Sequence, residues 1–85
     1  MRLGVIADTH GLLRPQVFDV FRTVDHILHG GDVGKREILL ELGALAPVTA
    51  VFGNTDDLEL RSLLPPVAKL RLDGFDIVVA SEVMA

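Results

Sequence analysis

The sequence contains no cysteine, tryptophan or tyrosine among its 85 residues, and four phenylalanines are its only aromatic side chains. The lack of cysteine excludes disulfides, thiolate metal sites and a cysteine nucleophile. With so few rings and no run of Lys or Arg, the chain has no surface suited to nucleic acids. No apolar run approaches the roughly 20 residues of a membrane span, and the apolar N-terminal stretch, which Asp8 ends, is too short for a signal peptide. We therefore expect a cytoplasmic protein without nucleic-acid or membrane partners.

Apolar residues, by contrast, are abundant. They make up 49% of the chain, its net charge is −4, and its mean hydropathy is +0.44. Glycine adds a further eight residues, so the apolar fraction exceeds the roughly 45–50% of ordinary soluble domains, which includes glycine. A chain of this length buries only about 60–65% of its unfolded surface. We expect residues 1–85 to form a single, incomplete domain that self-associates through exposed apolar surface.

The first two thirds of the chain alternate between apolar runs and helical patterns. The runs are short and rich in β-branched residues, which is typical of strands buried on both faces of a parallel sheet. Between them, apolar residues recur at the spacing of amphipathic helices. The pattern predicts strands over 3–7, 27–28 and 48–52, and helices over 15–24 and 35–45.

The last third follows a different rhythm. A helical turn or two over 58–64 precedes an alternating strand over 68–72. Asp73-Gly74 is a two-residue hairpin signal, and 75–80 is expected to be the returning strand. The whole chain therefore predicts an α/β fold of the order βαβαβ followed by a hairpin, with the first three strands parallel.

Small polar residues follow each of the first three strands, as Asp8-Thr9-His10, Gly30-Gly31-Asp32 and Gly53-Asn54-Thr55-Asp56. Each cluster by itself is an ordinary turn or helix cap. Because the carboxyl ends of parallel strands meet at one edge of a sheet, we expect the three clusters to converge. Two carboxylates, an imidazole and an amide oxygen suit Mn²⁺, Fe²⁺, Ni²⁺, Zn²⁺ or Mg²⁺.

In these three motifs, Asp8-x-His10, Gly31-Asp32 and Gly53-Asn54-x-Asp56, the sequence resembles the calcineurin-like metallophosphoesterases. It is most similar to the small bacterial and archaeal phosphodiesterases among them. The resemblance extends from Met1 to about Val79, with the motifs in the family's order. It implies the N-terminal half of a two-sheet, helix-flanked fold.

The resemblance also implies a site and a reaction. Two divalent ions would activate a water molecule that hydrolyses a small-molecule phosphoester, most specifically a phosphodiester, without a protein nucleophile. Manganese is one of the metals expected. Asp32 would bridge the two ions, Asp8 and His10 would bind the first, and Asn54 the second. Residues expected behind these ligands or beside the phosphate are Gly31, Gly53, His29 and Asp56.

Two departures from the family pattern limit this expectation. Many members have His where this chain has Thr55, although the small phosphodiesterases commonly lack it too. The family also has a His at the end of the strand after the hairpin turn and a later Gly-His-x-His motif. No His follows His29 here, and the segment 81–85 has none. Three imidazole ligands and most of the second sheet are therefore missing.

Three interpretations remain open from the sequence. The first is a divalent-metal phosphoesterase represented by its N-terminal half, whose 85 residues alone are inactive. The second is a non-catalytic protein-interaction scaffold of the same fold, like a retromer subunit with a degraded metal site. The third is an inactive truncated fragment. Among the other polar residues, we expect His26 to face solvent, and Asp56 and Asp57 to support the ligands or to cap a helix.

Overall fold

Strands and helices alternate along residues 1–81, the part of the chain that the computed structural model describes. The remaining positions, 82–85, lie outside the described residues. A single 3₁₀ turn (Phe21–Thr23) extends the first helix. The regular elements in chain order are β1 (Leu3–Ile6), α1 (Pro15–Val20), β2 (His26–His29), α2 (Arg36–Gly43), β3 (Val48–Ala50), α3 (Leu58–Leu63), β4 (Val67–Leu72) and β5 (Phe75–Ala80).

The strands form two sheets. β1, β2 and β3 pair in parallel in that order, with Leu3 opposite His26 and Ile27 opposite Val48. β4 and β5 form an antiparallel hairpin around Asp73-Gly74. Both turn residues have positive φ, 52° and 83°, as expected of the two-residue turn that the dipeptide predicts. The predicted α/β fold and the hairpin are confirmed.

The central strand of the parallel sheet, β2, is covered on both faces. Ile27 and Leu28 are adjacent in β2, so their side chains lie on opposite faces. Leu28 packs in a second cluster with Val51 and with Val79 of the hairpin. The larger cluster, on the helical side, comprises Phe21, Ile27, Val33, Ile38, Leu42, Ala46 and Leu60. The carboxyl ends of the three strands therefore open between a helical layer and a hairpin layer.

The first strand differs from its prediction. We expected β1 to be buried on both faces, but it is an edge strand among residues 1–81, and Val5 is 71% exposed. Gly4 is the residue of this strand that packs closely, since a Cβ there would lie 3.0 Å from the Phe21 ring. β2 does have the predicted burial on both faces. An apolar run indicates a strand, but neighbouring elements decide which faces are buried.

Some element ends also differ from the predicted ones. The first helix tightens into 3₁₀ geometry after Val20, because β-branched residues crowd its last turn and the chain must turn into β2. The third strand ends at Ala50 because Phe52 leaves the ladder, and its amide donates to the carbonyl of Pro65 at 3.2 Å. Across residues 1–81, no helix has both the length and the apolar character to cross a membrane.

Candidate metal centre

The loops after β1 and β2 are joined backbone to backbone. The amide of Asp8 donates to the carbonyl of Gly31 at 3.0 Å, and the amide of His10 donates to that of Asp32, also at 3.0 Å. A third bond runs from Gly11 to Val33 at 2.8 Å. The parallel pairing of the two strands thus continues beyond their ends. It fixes Asp8 and His10 relative to Asp32 before any side chain is considered.

Three residues of these loops have left-handed backbone conformations. The φ angles are 56° at Asp8, 49° at His10 and 54° at Asp32. This region is uncommon for residues other than glycine, and such conformations persist where the surrounding structure enforces them, often at functional sites. All three are residues that the sequence predicted as metal ligands. The sequence carried no sign of their backbone conformation.

The side chains of the same three residues converge. One ligand atom from each of Asp8, His10 and Asp32 lies within 4.8 Å of the others. The carboxylates of Asp8 and Asp32 are therefore close neighbours. Within residues 1–81, the ion pairs found are Met1–Asp73 and Arg71–Asp76, so no Lys or Arg neutralises the cluster. Two adjoining carboxylates and an imidazole without a cationic side chain fit a divalent metal ion.

Thr55 holds the carboxylate of Asp32. Its hydroxyl donates to Asp32 Oδ1 at 2.7 Å and its backbone amide donates to the same oxygen at 3.0 Å. These bonds stabilise the charged form, so they lower the pKa of Asp32, and the nearby His10 acts in the same direction. The third loop passes so close to this carboxylate that a Cβ on Gly53 would collide with Oδ1. Asp32 is thereby fixed as an anion.

Asn54 lies beside the cluster. Both of its chain neighbours meet Asp32, Gly53 by close approach and Thr55 by hydrogen bonds. Its carbonyl accepts a hydrogen bond from Nη2 of Arg61 at 2.9 Å. Asn54 also lines a cleft of about 270 Å³. The structure therefore brings the loop of Asn54 to Asp32, while the three-residue cluster itself comes from the first two loops.

Asp56 joins the second and third loops. The residue is only 5% exposed, and its carboxylate accepts from the amides of Val33 at 3.1 Å, Gly34 at 2.9 Å and Gly53 at 2.9 Å. The sequence placed Asp56 behind the ligands but did not indicate these three bonds. The helix cap is its neighbour: Asp57 Oδ1 accepts from the amide of Leu60 at 3.0 Å at the start of α3.

His29 is fully buried behind the cluster. The amide of Gly31 donates to its Nδ1 at 3.1 Å, so the ring proton lies on Nε2, which is 3.0 Å from the hydroxyl of Thr9. That hydroxyl donates in turn to the carbonyl of Val33 at 2.8 Å. Burial lowers the pKa of His29, against the opposing effects of Asp56, Asp8 and Asp32. With both nitrogens engaged, His29 supports the loops and is not available to a metal.

Two further residues, His26 and Arg61, take roles that differ from the sequence analysis or are absent from it. His26 does not face solvent: it is half-buried in β2, with Nε2 2.8 Å from the Thr49 hydroxyl. Arg61 on α3 donates from Nε to the carbonyl of Asp56 at 2.8 Å, besides its bond to Asn54. Its guanidinium also lies 4.9 Å from the centroid of the Phe52 ring. Sequence spacing gives no signal for such contacts, because they depend on how the third loop folds back.

Comparison with known proteins also relates this chain to metal-dependent enzymes. The sequence-family model of the calcineurin-like phosphoesterase superfamily domain matches residues 1–83. A "Probable metallophosphoesterase" of Methanothermobacter thermautotrophicus is 49% identical over 61 residues, covering 66% of this chain and 36% of the relative. A protein of the same description from Methanocaldococcus jannaschii is 51% identical over 65 residues, covering 71% and 34%. The chain thus spans about a third of the length of these curated relatives.

Solved structures share the fold. A single mutant of Vps29 from Entamoeba histolytica superposes with a TM-score of 0.74 at 28% identity, covering 94% of this chain and 47% of that one. The wild-type protein, solved with Zn²⁺, gives 0.73 at the same identity and coverage. Vps29 of Chaetomium thermophilum gives 0.74 at 17% identity, covering 89% and 43%, which shows the fold alone.

Proposed function

This chain belongs to the calcineurin-like phosphoesterase superfamily, and from that premise we propose that it carries part of the site of a divalent-metal-dependent phosphodiesterase. The observation that carries the proposal is the convergence of Asp8, His10 and Asp32, whose ligand atoms lie within 4.8 Å of one another at the ends of two parallel strands. The substrate would be a small-molecule phosphodiester. Within the proposal, residues 1–85 are one incomplete domain.

The residues of this chain would hold the metals and keep them in place. Asp8 and His10 are proposed to bind the first of two divalent ions, Asn54 the second, and Asp32 both. Once bound, the ions would supply a water molecule of lowered pKa and polarise the phosphoryl oxygens. Gly31 and Gly53 keep the backbone beside Asp32 free of side chains. Behind the ligands, His29 and Asp56 tie the three loops together through backbone amides.

The metal is proposed from donor chemistry. Carboxylate oxygens with one imidazole suit Mn²⁺, Fe²⁺, Ni²⁺, Zn²⁺ or Mg²⁺, and manganese is our first choice for experiments. The E. histolytica Vps29 solved with Zn²⁺ supports a divalent ion as ligand in this fold. The phosphodiester substrate is supported by Thr55 at the position where many family members have His. A cytoplasmic location remains a prediction of the sequence.

The metal centre is tested on this chain by titration with Mn²⁺, with free Mn²⁺ measured by electron paramagnetic resonance. We expect one ion to bind weakly and a second hardly at all. Asp32→Asn removes a charge from the cluster and is expected to weaken binding at least tenfold, whereas Asp57→Asn, at the cap of α3, leaves it within twofold. Equal binding by the two variants would contradict the assignment of Asp32.

The reaction is tested on the M. thermautotrophicus relative, which is longer than this chain. With Mn²⁺ present, kcat/KM is compared for bis(p-nitrophenyl) phosphate, a diester, and p-nitrophenyl phosphate, a monoester. We expect the diester to be the better substrate. A clear preference for the monoester would reject phosphodiester hydrolysis while leaving the metal centre intact.

A protein-interaction scaffold is the second candidate. The Vps29 chains among the structural neighbours favour it to some extent, but the site residues Asp8, His10 and Asp32 are all present and converge. A scaffold would show no metal-dependent hydrolysis, and it could still bind a divalent ion, since a Vps29 was solved with Zn²⁺. The hydrolysis assay on the M. thermautotrophicus relative therefore separates the two candidates: no Mn²⁺-dependent turnover of either ester would favour the scaffold.

A further inference from the structure

We propose that Thr55 is a positioning residue that presents one chosen oxygen of Asp32 to the metal. The inference rests on the proposed metal centre and concerns how its central carboxylate is oriented. Two donors of Thr55 meet the same atom, Oδ1, at 2.7 Å from the hydroxyl and 3.0 Å from the amide. No other residue in the described part of the chain has side-chain and backbone bonds to Asp32 Oδ1 together.

The two hydrogen bonds give the two oxygens of the Asp32 carboxylate different roles. A carboxylate oxygen has about two lone-pair positions, and Thr55 fills both on Oδ1. The lone pairs of Oδ2 remain for metal ions. A carboxylate that binds through a single, fixed oxygen has lost its rotation before the metal arrives, so binding is not opposed by that loss of freedom.

The surroundings prevent the carboxylate from turning. The backbone of Asp32 is held in the left-handed region with φ of 54°, and the Asp32 carbonyl accepts a hydrogen bond from the amide of His10. The third loop comes close on the side of Oδ1, where only the absence of a Cβ on Gly53 leaves room. Thr55 completes this arrangement, and its hydroxyl is the part that a substitution can remove alone.

Substitutions of Thr55 separate the contribution of its hydroxyl from that of its backbone amide. Thr55→Val keeps the shape of the side chain and the backbone amide bond but removes the hydroxyl donor. Thr55→Ser keeps the hydroxyl. Thr49→Val is a matched control, since its hydroxyl also makes one 2.8 Å hydrogen bond, but to His26 at the far end of β2.

The experiment measures Mn²⁺ dissociation constants of these variants by electron paramagnetic resonance, and their thermal unfolding midpoints without metal. Thr55→Val should weaken Mn²⁺ binding about tenfold, as loss of a ligand's supporting hydrogen bond typically does, with an unchanged midpoint because Thr55 is exposed. Thr55→Ser and Thr49→Val should bind within twofold of the wild type. This split between affinity and stability is what a merely structural role would not produce.

Two results overturn the inference. If the wild type binds Mn²⁺ and Thr55→Val binds equally well, or Thr55→Ser fails to restore binding, Thr55 does not position Asp32 and the metal centre itself stands. If the wild-type chain binds no Mn²⁺ at all, the proposed metal centre fails and this inference fails with it.

Discussion

At the scale of single residues, the side chain of Asp56 accepts more backbone hydrogen bonds than that of any candidate metal ligand in the described part of the chain. Its buried carboxylate accepts three backbone amides from two loops. Asp56→Ala leaves these donors without a partner, and an unsatisfied buried donor costs about 1–3 kcal/mol. We expect a loss of about 3 kcal/mol or more in the free energy of unfolding, measured by urea denaturation.

The neighbouring carboxylate is the control for that prediction. Asp57 caps α3 through one bond to Leu60, and replacing a helix cap by Ala costs about 1 kcal/mol. Similar losses from Asp56→Ala and Asp57→Ala would show that the loops are held by something other than Asp56.

His29 gives the protein a pH dependence in the acid range. Burial lowers its pKa in the folded state below the usual value of 6.5. As pH falls through 6.5 the unfolded chain takes up a proton that the folded protein does not, so the free energy of unfolding decreases by up to about 1.4 kcal/mol per pH unit. Above that pH the effect vanishes. The pKa of Asp32 is lowered in the folded state, so its contribution to stability is lost only in more strongly acidic solution, where the unfolded chain binds a proton first. The two pH windows are therefore separate.

The measurement is urea denaturation between pH 7.5 and 5, compared with His29→Gln, which carries no titrating ring. We expect the variant to be less stable at pH 7.5 and to lose less stability on acidification. Parallel curves for the two proteins would mean that His29 takes up its proton without unfolding.

The convergence of three candidate ligands could be predicted because its signal is local. Asp8, His10 and Asp32 each follow an apolar strand, and parallel strands bring those positions to one edge. Their left-handed conformations, the bonds of Thr55 and the role of Asp56 could not, since each depends on which loop lies opposite. Spacing therefore predicts which residues converge, but not the backbone conformations and hydrogen bonds that hold them.

At the scale of loops and strands, two glycines with similar backbones make a direct test. Gly34 has φ of 91° and Gly74 has φ of 83°. A Cβ on Gly34 would collide with the backbone of His10 and Gly11, whereas a Cβ on Gly74 would meet nothing within 4 Å. Gly74→Ala should therefore cost about 1 kcal/mol, for the left-handed backbone alone. Gly34→Ala should cost at least about 2 kcal/mol more, because it pushes two loops apart.

Thermal and urea unfolding of both variants check this difference. Gly34→Ala is also expected to weaken Mn²⁺ binding, while Gly74→Ala, in the hairpin turn, leaves it unchanged. Equal stability of the two variants would mean that the loops after β1 and β2 yield easily and do not hold the site rigid.

Elements were predicted best where the turn chemistry is local. The hairpin followed from Asp73-Gly74, whose residues both adopt the positive φ that such turns need. The prediction that β1 is buried on both faces was wrong, because the sequence around Val5 contains no information about what lies beyond the edge of the sheet. The 3₁₀ turn after Val20 was also missed, since helical periodicity continues through it.

At the scale of the whole molecule, the exposed apolar side chains predict self-association. Val5 on the β1 edge is 71% exposed, and Phe75 and Val78 on β5 are 71% and 63% exposed. Unpaired edges and apolar patches of this kind favour contacts between copies. We expect sedimentation equilibrium to show dimers or larger species at tens of micromolar (~50 µM), and Val5→Lys combined with Val78→Lys to reduce them. A monomer at that concentration would contradict this.

The 85-residue chain alone is expected to be inactive. Of its three histidines, His29 and His26 are engaged in hydrogen bonds, so His10 is the imidazole left for a metal. A second ion held by few donors would be loosely placed, and misplacement by about 1 Å costs roughly a hundredfold in rate. We expect no Mn²⁺-dependent hydrolysis of bis(p-nitrophenyl) phosphate. Turnover abolished by Asp32→Asn would show that another copy or chain supplies the absent ligands.

The continuation of backbone pairing beyond β1 and β2 has a consequence for how an ion enters. Backbone hydrogen bonds between the two loops and left-handed backbones hold Asp8, His10 and Asp32 in position. The conformational entropy of bringing these residues together is therefore lost on folding and not on metal binding. The site is preorganised, so we expect an ion to bind without a rearrangement of the loops around it. Nuclear magnetic resonance spectra of the chain with and without a diamagnetic ion such as Mg²⁺ should therefore differ at these residues and hardly elsewhere.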